Sequence, residues 1–281
     1  MTCKDFSGMI PAFMQDTLDN NSLRIFLEHL DGCKGCREEL EIQYLVSKVF
    51  DQQDAGQEVN LSKELPALIE KESLKASKSN YLRERLTQPI DERILLAHIR
   101  YATIGNVERK NCHPYTGKDS GGRSWTLIHN GTIFDYAPLN RYVKIQNGDT
   151  DSERIFLYLL DRLDEARRKK GSRLVFEERF ELFDKIISDM AKGNKLNLIF
   201  TDGKYLYVHT NCRGTLHYLS KKGTSIISTL PLSDENWQPV PFTRLNAFYN
   251  GKLIKTGESH NHEYTESEEA MKLLYQIFAN L

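Results

Sequence analysis

The spacing of apolar residues changes once along this chain, near residue 81, and that change constrains the fold more than any other feature. Before it the spacing is helical: Phe6, Met9, Ile10, Phe13 and Met14 across residues 4–18, then Leu23, Ile25, Phe26, Leu27 and Leu30 behind a capping cluster Asn20-Asn21-Ser22. A third stripe, Leu40, Ile42, Leu45, Val46, Val49 and Phe50, predicts a helix over 37–53. Pro11 predicts a kink or break in the first helix. After residue 81 the pattern is short apolar runs between Gly turns. Strands are expected at 94–101, at 125–129 with a turn at Asn130-Gly131 and a continuation at 132–134, and at 196–201, 205–209, 215–219 and 225–228. A hairpin, 242–249 with 252–256, closes the series. Helices are expected at 151–168, 175–190 and 266–281. The polar stretch between the two regimes reads as a linker with one helix, 63–76. The predicted organisation is a helical domain over 1–55, a linker over 56–81 and an α+β layered domain over 82–281.

Composition narrows the function classes. With 38 basic and 39 acidic side chains the net charge is −1, which gives no electrostatic case for nucleic acid. No apolar run approaches the roughly 20 residues that span a bilayer, and the first residues, M-T-C-K-D-F, do not read as a signal peptide. The expected location is the cytoplasm, with no membrane or nucleic-acid partner. Three of the five cysteines, Cys3, Cys33 and Cys36, fall in the first 36 residues. In a reducing compartment that points to metal rather than disulfides. Cys3, His29, Cys33 and Cys36 together make a Cys3His set, suited to a closed tetrahedral zinc site. Three short helices make a marginal core, and a structural zinc is the staple it needs. The competing reading is a redox C-x-x-C, but no strand precedes the motif as a thioredoxin-like unit requires.

The segment C-K-D-F…F-L-E-H-L-D-G-C-K-G-C resembles the zinc-binding domain of anti-sigma factors, a cysteine well upstream of H-x-x-x-C-x-x-C. All four ligand positions match, over residues 1 to about 50. The resemblance implies a structural zinc and a sigma factor as partner. Membrane-bound members carry a transmembrane helix after this domain, and no such stretch is present here.

A second cluster spans residues 98–153: H-I-R-Y-A-T-I-G, N-C-H-P-Y, W-T-L-I-H-N-G and G-D-T-D-S-E. Arg100 on a strand offers a planar fork for a carboxylate. Asp151 at a helix start offers an acceptor for an ammonium. Asn130 and Gly131 offer donors for an oxyanion. Each residue has a plainer role: Arg100 paired with Asp151, Asn130-Gly131 as a hairpin turn, Asp151 as a helix cap.

The order of these segments resembles class II (N-terminal nucleophile) glutamine amidotransferases. The likeness continues through L-N-L-I-F-T-D-G-K-Y-L-Y and I-I-S-T-L-P-L-S-D-E-N-W and covers about residues 82–257. It implies a four-layer αββα sandwich of the Ntn-hydrolase type, with Arg100 on the glutamine carboxylate, Asp151 on its amino group, and Asn130 and Gly131 as the oxyanion hole. The family's nucleophile is a cysteine at the mature N-terminus whose α-amine is the base. The strand that would carry it has no counterpart before residue 82, so the sandwich is expected to be incomplete and the nucleophile is unassigned. Cys3 reads as a zinc ligand, and Thr2, exposed by Met removal, is followed by a helix pattern. Cys112 reads as a packed small residue, and Cys212 lies in a turn. His260 and His262 are placed in a polar loop where a metal would bind only adventitiously. The expectation is a glutamine-type pocket with little or no activity alone. The alternatives are an active enzyme using Cys3 or Thr2, and a zinc-dependent regulator that binds a sigma factor. Uncovered sheet would be met by the linker or by strand addition from a partner polypeptide.

Overall fold

The computed structural model describes residues 1–14, 17–33, 35–37, 39–40, 43, 71–73, 78–87, 93–99, 108–221 and 223–265. Arg100, most of the predicted helices over 37–53 and 63–76, and the predicted C-terminal helix lie outside them. The chain divides into two compact units, one built mainly from its first 95 residues and one from residues 96–230 and 236–281.

In the first unit α1 (Cys3–Met14) starts with a reciprocal cap. The Asp5 N–H donates to Thr2 Oγ (3.2 Å), while the Asp5 carboxylate accepts the Thr2 N–H (2.9 Å) and hydroxyl (2.7 Å). Pro11 lies inside this helix without ending it. The cap of α2 (Asn20–Gly32) is Asp19, one residue before the predicted cluster, and its side chain accepts the Asn21 and Ser22 N–H groups. Phe6, Ile10 and Phe26 are fully buried, with the Phe6 and Phe26 rings stacked at 4.2 Å. Residues 35–37 are helical, and a short α3 (Asn80–Leu86) also belongs to this unit.

The second unit is α+β and layered. Its strands are β1 (Tyr115–Lys118), β2 (Ser124–Thr132), β3 (Lys195–Thr201), β4 (Leu206–Thr210), β5 (His217–Lys221), β6 (Thr224–Ser228), β7 (Gln238–Pro239), β8 (Arg244–Tyr249) and β9 (Lys252–Thr256). A six-stranded antiparallel sheet runs β1-β2-β3-β4-β8-β9, and a three-stranded sheet runs β6-β5-β7. Two helices, α4 (Asp151–Lys170) and α5 (Phe176–Ala191), cover one face of the larger sheet. The strand period of two separates the faces. Leu196, Leu198 and Phe200 of β3 join Ile155, Leu159, Phe183 and Ile187 under the helices. Ile199, with Val208 and Phe248, packs with Leu216, Val240 and Ile227 of the smaller-sheet layer. The stack is helices, sheet, sheet, as in an αββα sandwich. The second helical layer is absent among the described residues.

Two expectations are corrected, and one strand is added. Asn130-Gly131 is not a turn: β2 runs straight through it, with Asn130 opposite Asn197 and Gly131 opposite Leu196, and neither residue has a positive φ. Residues 94–99 alternate in exposure as a strand would, but form no ladder, because no neighbouring strand pairs with them among the described residues. Tyr115–Lys118, for which no strand was expected, forms β1, the edge of the larger sheet among the described residues, next to Pro114 and with Gly117 inside it.

Candidate functional site

The end of β2, the loop after it and the first turn of α4 bring most of the described pocket residues together. Thr150 caps α4 and accepts the Glu153 N–H (3.2 Å). Asp151 is therefore the first helical residue, 5% exposed, and not the cap. Its Oδ2 accepts the Ile133 N–H (2.8 Å) and its Oδ1 the Ser152 N–H (2.9 Å), so the carboxylate locks the loop after β2 to the helix start. Asn130 points away from α4 and is exposed, whereas Gly131 faces the helix side. A methyl at Gly131 would overlap the Lys195 carbonyl oxygen and the His129 ring.

His129 is buried between these groups. Its Nε2 faces the Lys195 carbonyl (3.4 Å), which only accepts, so Nε2 carries the proton and Nδ1 accepts from the Ser152 hydroxyl (3.0 Å). Burial holds the His129 pKa below its ordinary value, opposed by the Asp151 charge. The His98 ring nitrogen Nε2 reaches the His129 carbonyl (3.1 Å), and the His98 and His113 rings lie 3.9 Å apart.

Several positioning residues were not singled out in the sequence. Asn111, fully buried, accepts the Asp149 N–H (2.8 Å) and ties the N-C-H-P segment to the loop before α4. Glu153 accepts the Asn147 and Gly148 N–H groups, both at 2.7 Å. Asn194 accepts the Phe134 N–H (2.6 Å) and donates to the Met190 carbonyl (2.7 Å), holding the loop after β2 against α5. The available signal was the polar composition of the loops themselves, which does not say which amide faces inward.

Of the remaining cysteines and histidines, Cys112 donates its thiol to the Glu72 and Glu108 carbonyls and Cys212 is buried. His260 is not a loose loop residue. The His262 N–H donates to His260 Nδ1 (3.0 Å), so His260 Nε2–H donates to His209 Nε2 (2.9 Å), and His209 Nδ1–H donates to the Leu196 carbonyl (2.8 Å). Every proton in that chain is placed, and it leaves neither His209 nor His260 a free lone pair for a metal.

In the first unit the ligand atoms of Cys3, His29, Cys33 and Cys36 all lie within 4.8 Å of one another. Cys3 and Cys33 sulfurs are 3.8 Å apart, the edge of about 3.8 Å expected for a tetrahedron with zinc–sulfur bonds of about 2.3 Å. His29 Nε2 is 3.2 Å from Cys36 Sγ. Backbone N–H groups of Cys36 and Gly35 and the neighbouring thiols pull the Cys33 pKa down, whereas burial pushes Cys36 up to about 12. A buried thiol among thiols and an imidazole is poorly suited to this place without a cation, and the set fits zinc.

Residues 61–224 match the family model for glutamine amidotransferases class-II, and residues 3–37 match one described as "Putative zinc-finger". The chain belongs to the class II glutamine amidotransferases, with a zinc-finger-type segment before the amidotransferase part. It is 28% identical over 186 residues to a "Putative glutamine amidotransferase" of Haemophilus influenzae, covering 57% of this chain and 61% of that one. It is 29% identical over 142 residues to the "Putative glutamine amidotransferase YafJ" of Escherichia coli, covering 50% and 54%. The chain thus spans between half and two thirds of the length of these relatives. A crystal structure of a "predicted glutamine amidotransferase" from Pseudomonas aeruginosa aligns with TM-score 0.44 and 24% identity, over 52% of this chain and 65% of that one. No helix among the described residues is long and apolar enough to cross a membrane.

Proposed function

We propose that the amidotransferase part binds glutamine, or a small primary amide like it, and that this chain alone releases little ammonia from it. Family membership over residues 61–224 supports the substrate class. In this reading Arg100 holds the carboxylate through a bidentate pair, Asp151 accepts from the amino group, and Asn130 and Gly131 donate to the amide oxygen as it becomes an oxyanion.

The observation that carries the low-activity reading is the setting of Cys3 and Thr2. Cys3 Sγ lies 3.8 Å from Cys33 Sγ inside the four-ligand cluster, and a zinc-held thiolate is a poor nucleophile. Thr2 is committed to the cap of α1 through Asp5. A partner polypeptide that completes the sheet by strand addition is the route by which the pocket would gain its missing group. Cys3, His29, Cys33 and Cys36 would hold a structural zinc, which would order the first unit and take no part in the chemistry of the pocket.

The test is incubation of the purified chain with glutamine while ammonia and glutamate are followed. Binding without turnover, weakened at least tenfold by Asp151→Ala or Arg100→Ala, is expected. Turnover abolished by those variants yet retained in Cys3→Ala would overturn the reading. Covalent labelling of Cys3 or Thr2 by an electrophilic glutamine analogue would establish the enzyme alternative. The zinc-finger match over residues 3–37 favours a regulatory reading of the first unit, as an anti-sigma-type module. Retention of a sigma factor by the metal-loaded full chain, lost in Cys33→Ser, is its measurement.

A further inference from the structure

At the end of the second unit away from Asp151, the β1–β2 hairpin, the last turns of α4, the start of α5 and the β3–β4 turn enclose a cleft of about 290 Å³. Along α4 it lies about 20 Å from Asp151, at 1.5 Å per residue. Four arginines line it, Arg123, Arg167, Arg173 and Arg179, with three aspartates, Asp119, Asp164 and Asp202.

The aspartates are already committed. Asp119 accepts the Gly121 and Arg123 N–H groups and the Trp125 indole N–H, which builds the hairpin. Asp164 accepts the Ser120 N–H (2.7 Å). Asp202, whose side chain has no exposed surface, accepts from Arg123 (2.6 Å) and Arg179 (3.0 Å) and from two turn N–H groups. One carboxylate thus serves two guanidiniums. Arg167 and Arg173 bond only neutral acceptors, the Ser120 hydroxyl (3.0 Å) and the Gly121 carbonyl (3.3 Å), and neither forms an ion pair among the described residues. Arg179 is 4% exposed, yet its Nε has no hydrogen-bond partner, and neither does the buried Nε of Arg167.

Four guanidiniums against three carboxylates leave the cleft with a net positive charge, and Arg167 and Arg173 lie in it without an ion pair among the described residues, a setting that favours a bound anion. Several planar guanidiniums lining one cleft suit a tetrahedral oxyanion, whose oxygens accept from more than one fork. The volume approaches the lower end of small-molecule sites, enough for a phosphate on a small organic body. We propose that this cleft is a binding site for a phosphate dianion, free or carried as a phosphomonoester, separate from the glutamine-type pocket.

Calorimetric titration of the full chain with inorganic phosphate and with phenyl phosphate, against sodium chloride at matched ionic strength, tests it. Saturable binding of one or both is expected, weakened at least tenfold in the Arg167→Ala/Arg173→Ala double variant, whose melting temperature without ligand should match the parent. Tighter binding of phenyl phosphate assigns the site to an ester, and the reverse order to free phosphate. Absence of saturable binding by either, or binding undiminished in the folded double variant, overturns the proposal. The parent protein supplies the first outcome, so a misfolded variant cannot mask it; should the double variant melt early, Arg173→Ala alone replaces it with the same criterion.

Discussion

Gly131 shows how a local sequence signal for a turn is overridden by strand pairing. Asn-Gly is a strong hairpin signal, but here seven consecutive residue pairs with β3 hold the strand straight, and the glycine is required because a side chain would strike Lys195 and His129. Gly131→Ala is expected to cost about 3 kcal/mol by overpacking against backbone, read as a shift in urea midpoint at constant slope. The His209–His260 bond makes a second prediction at this scale. Burial lowers the pKa of His209 to about 3 and of His260 to about 4, below the roughly 6.5 of an unfolded histidine. The unfolded chain therefore takes up protons first as the pH falls. The stability held by the neutral pair is fully present above about pH 6.5 and declines as the pH drops toward the folded values. Denaturation midpoints should fall between pH 7 and pH 5, before most carboxylates titrate, and fall less in a His209→Asn/His260→Asn variant. An unchanged slope in that variant would mean other groups set the dependence. The sequence placed His260 in a loop correctly but gave no sign of its partner, which lies 51 residues away.

At the scale of elements, helices were legible and strands less so, for a physical reason. A helix satisfies its own hydrogen bonds, so the stripe Ile155, Phe156, Leu159 and Leu163 and the terminal Gly171, at φ 75°, define α4 locally. A strand needs a neighbour. The alternation at residues 94–99 is present without a ladder, while β1 exists because β2 pairs with it despite an unpromising sequence. The pocket inherits this asymmetry: Asp151, set by a helix start, was placed well, whereas the loop anchors Asn111 and Asn194 were invisible. Thr150 joins the two kinds of element, since its hydroxyl caps α4 and lies 2.6 Å from the Tyr115 hydroxyl on β1. Thr150→Ala should destabilise the second unit by about 1 to 2 kcal/mol, measured by chemical denaturation, and Thr150→Ser should recover most of it.

For the whole molecule, the two units rest on different sources of stability. Among the described residues, the first has a core of a few side chains around Phe6 and Phe26, and the second a large aliphatic and aromatic layer between helices and sheet. Chelation should therefore raise amide exchange across residues 3–37 toward that of an unfolded segment, as should Cys33→Ser, with residues 151–201 still protected. Zinc content below one per chain in freshly purified protein would remove the basis for this. The division into a helical and a layered part was readable from periodicity alone, but completeness of the layers was not, because a sheet's cover is a matter of contacts distant in sequence. One consequence lies in the route to this fold. β4 and β8 are neighbours in the larger sheet, yet the entire smaller sheet is threaded between them, from Asn211 to Thr243. The hairpins β3–β4 and β8–β9 can zip up on their own, but their union requires closing a loop of roughly thirty residues, at an entropy that grows only slowly with loop length. Joining the halves is then, with the pairing of β2 to β3 across residues 133–194, among the long-range steps that slow folding, and until it occurs each hairpin presents an open edge to any other chain nearby.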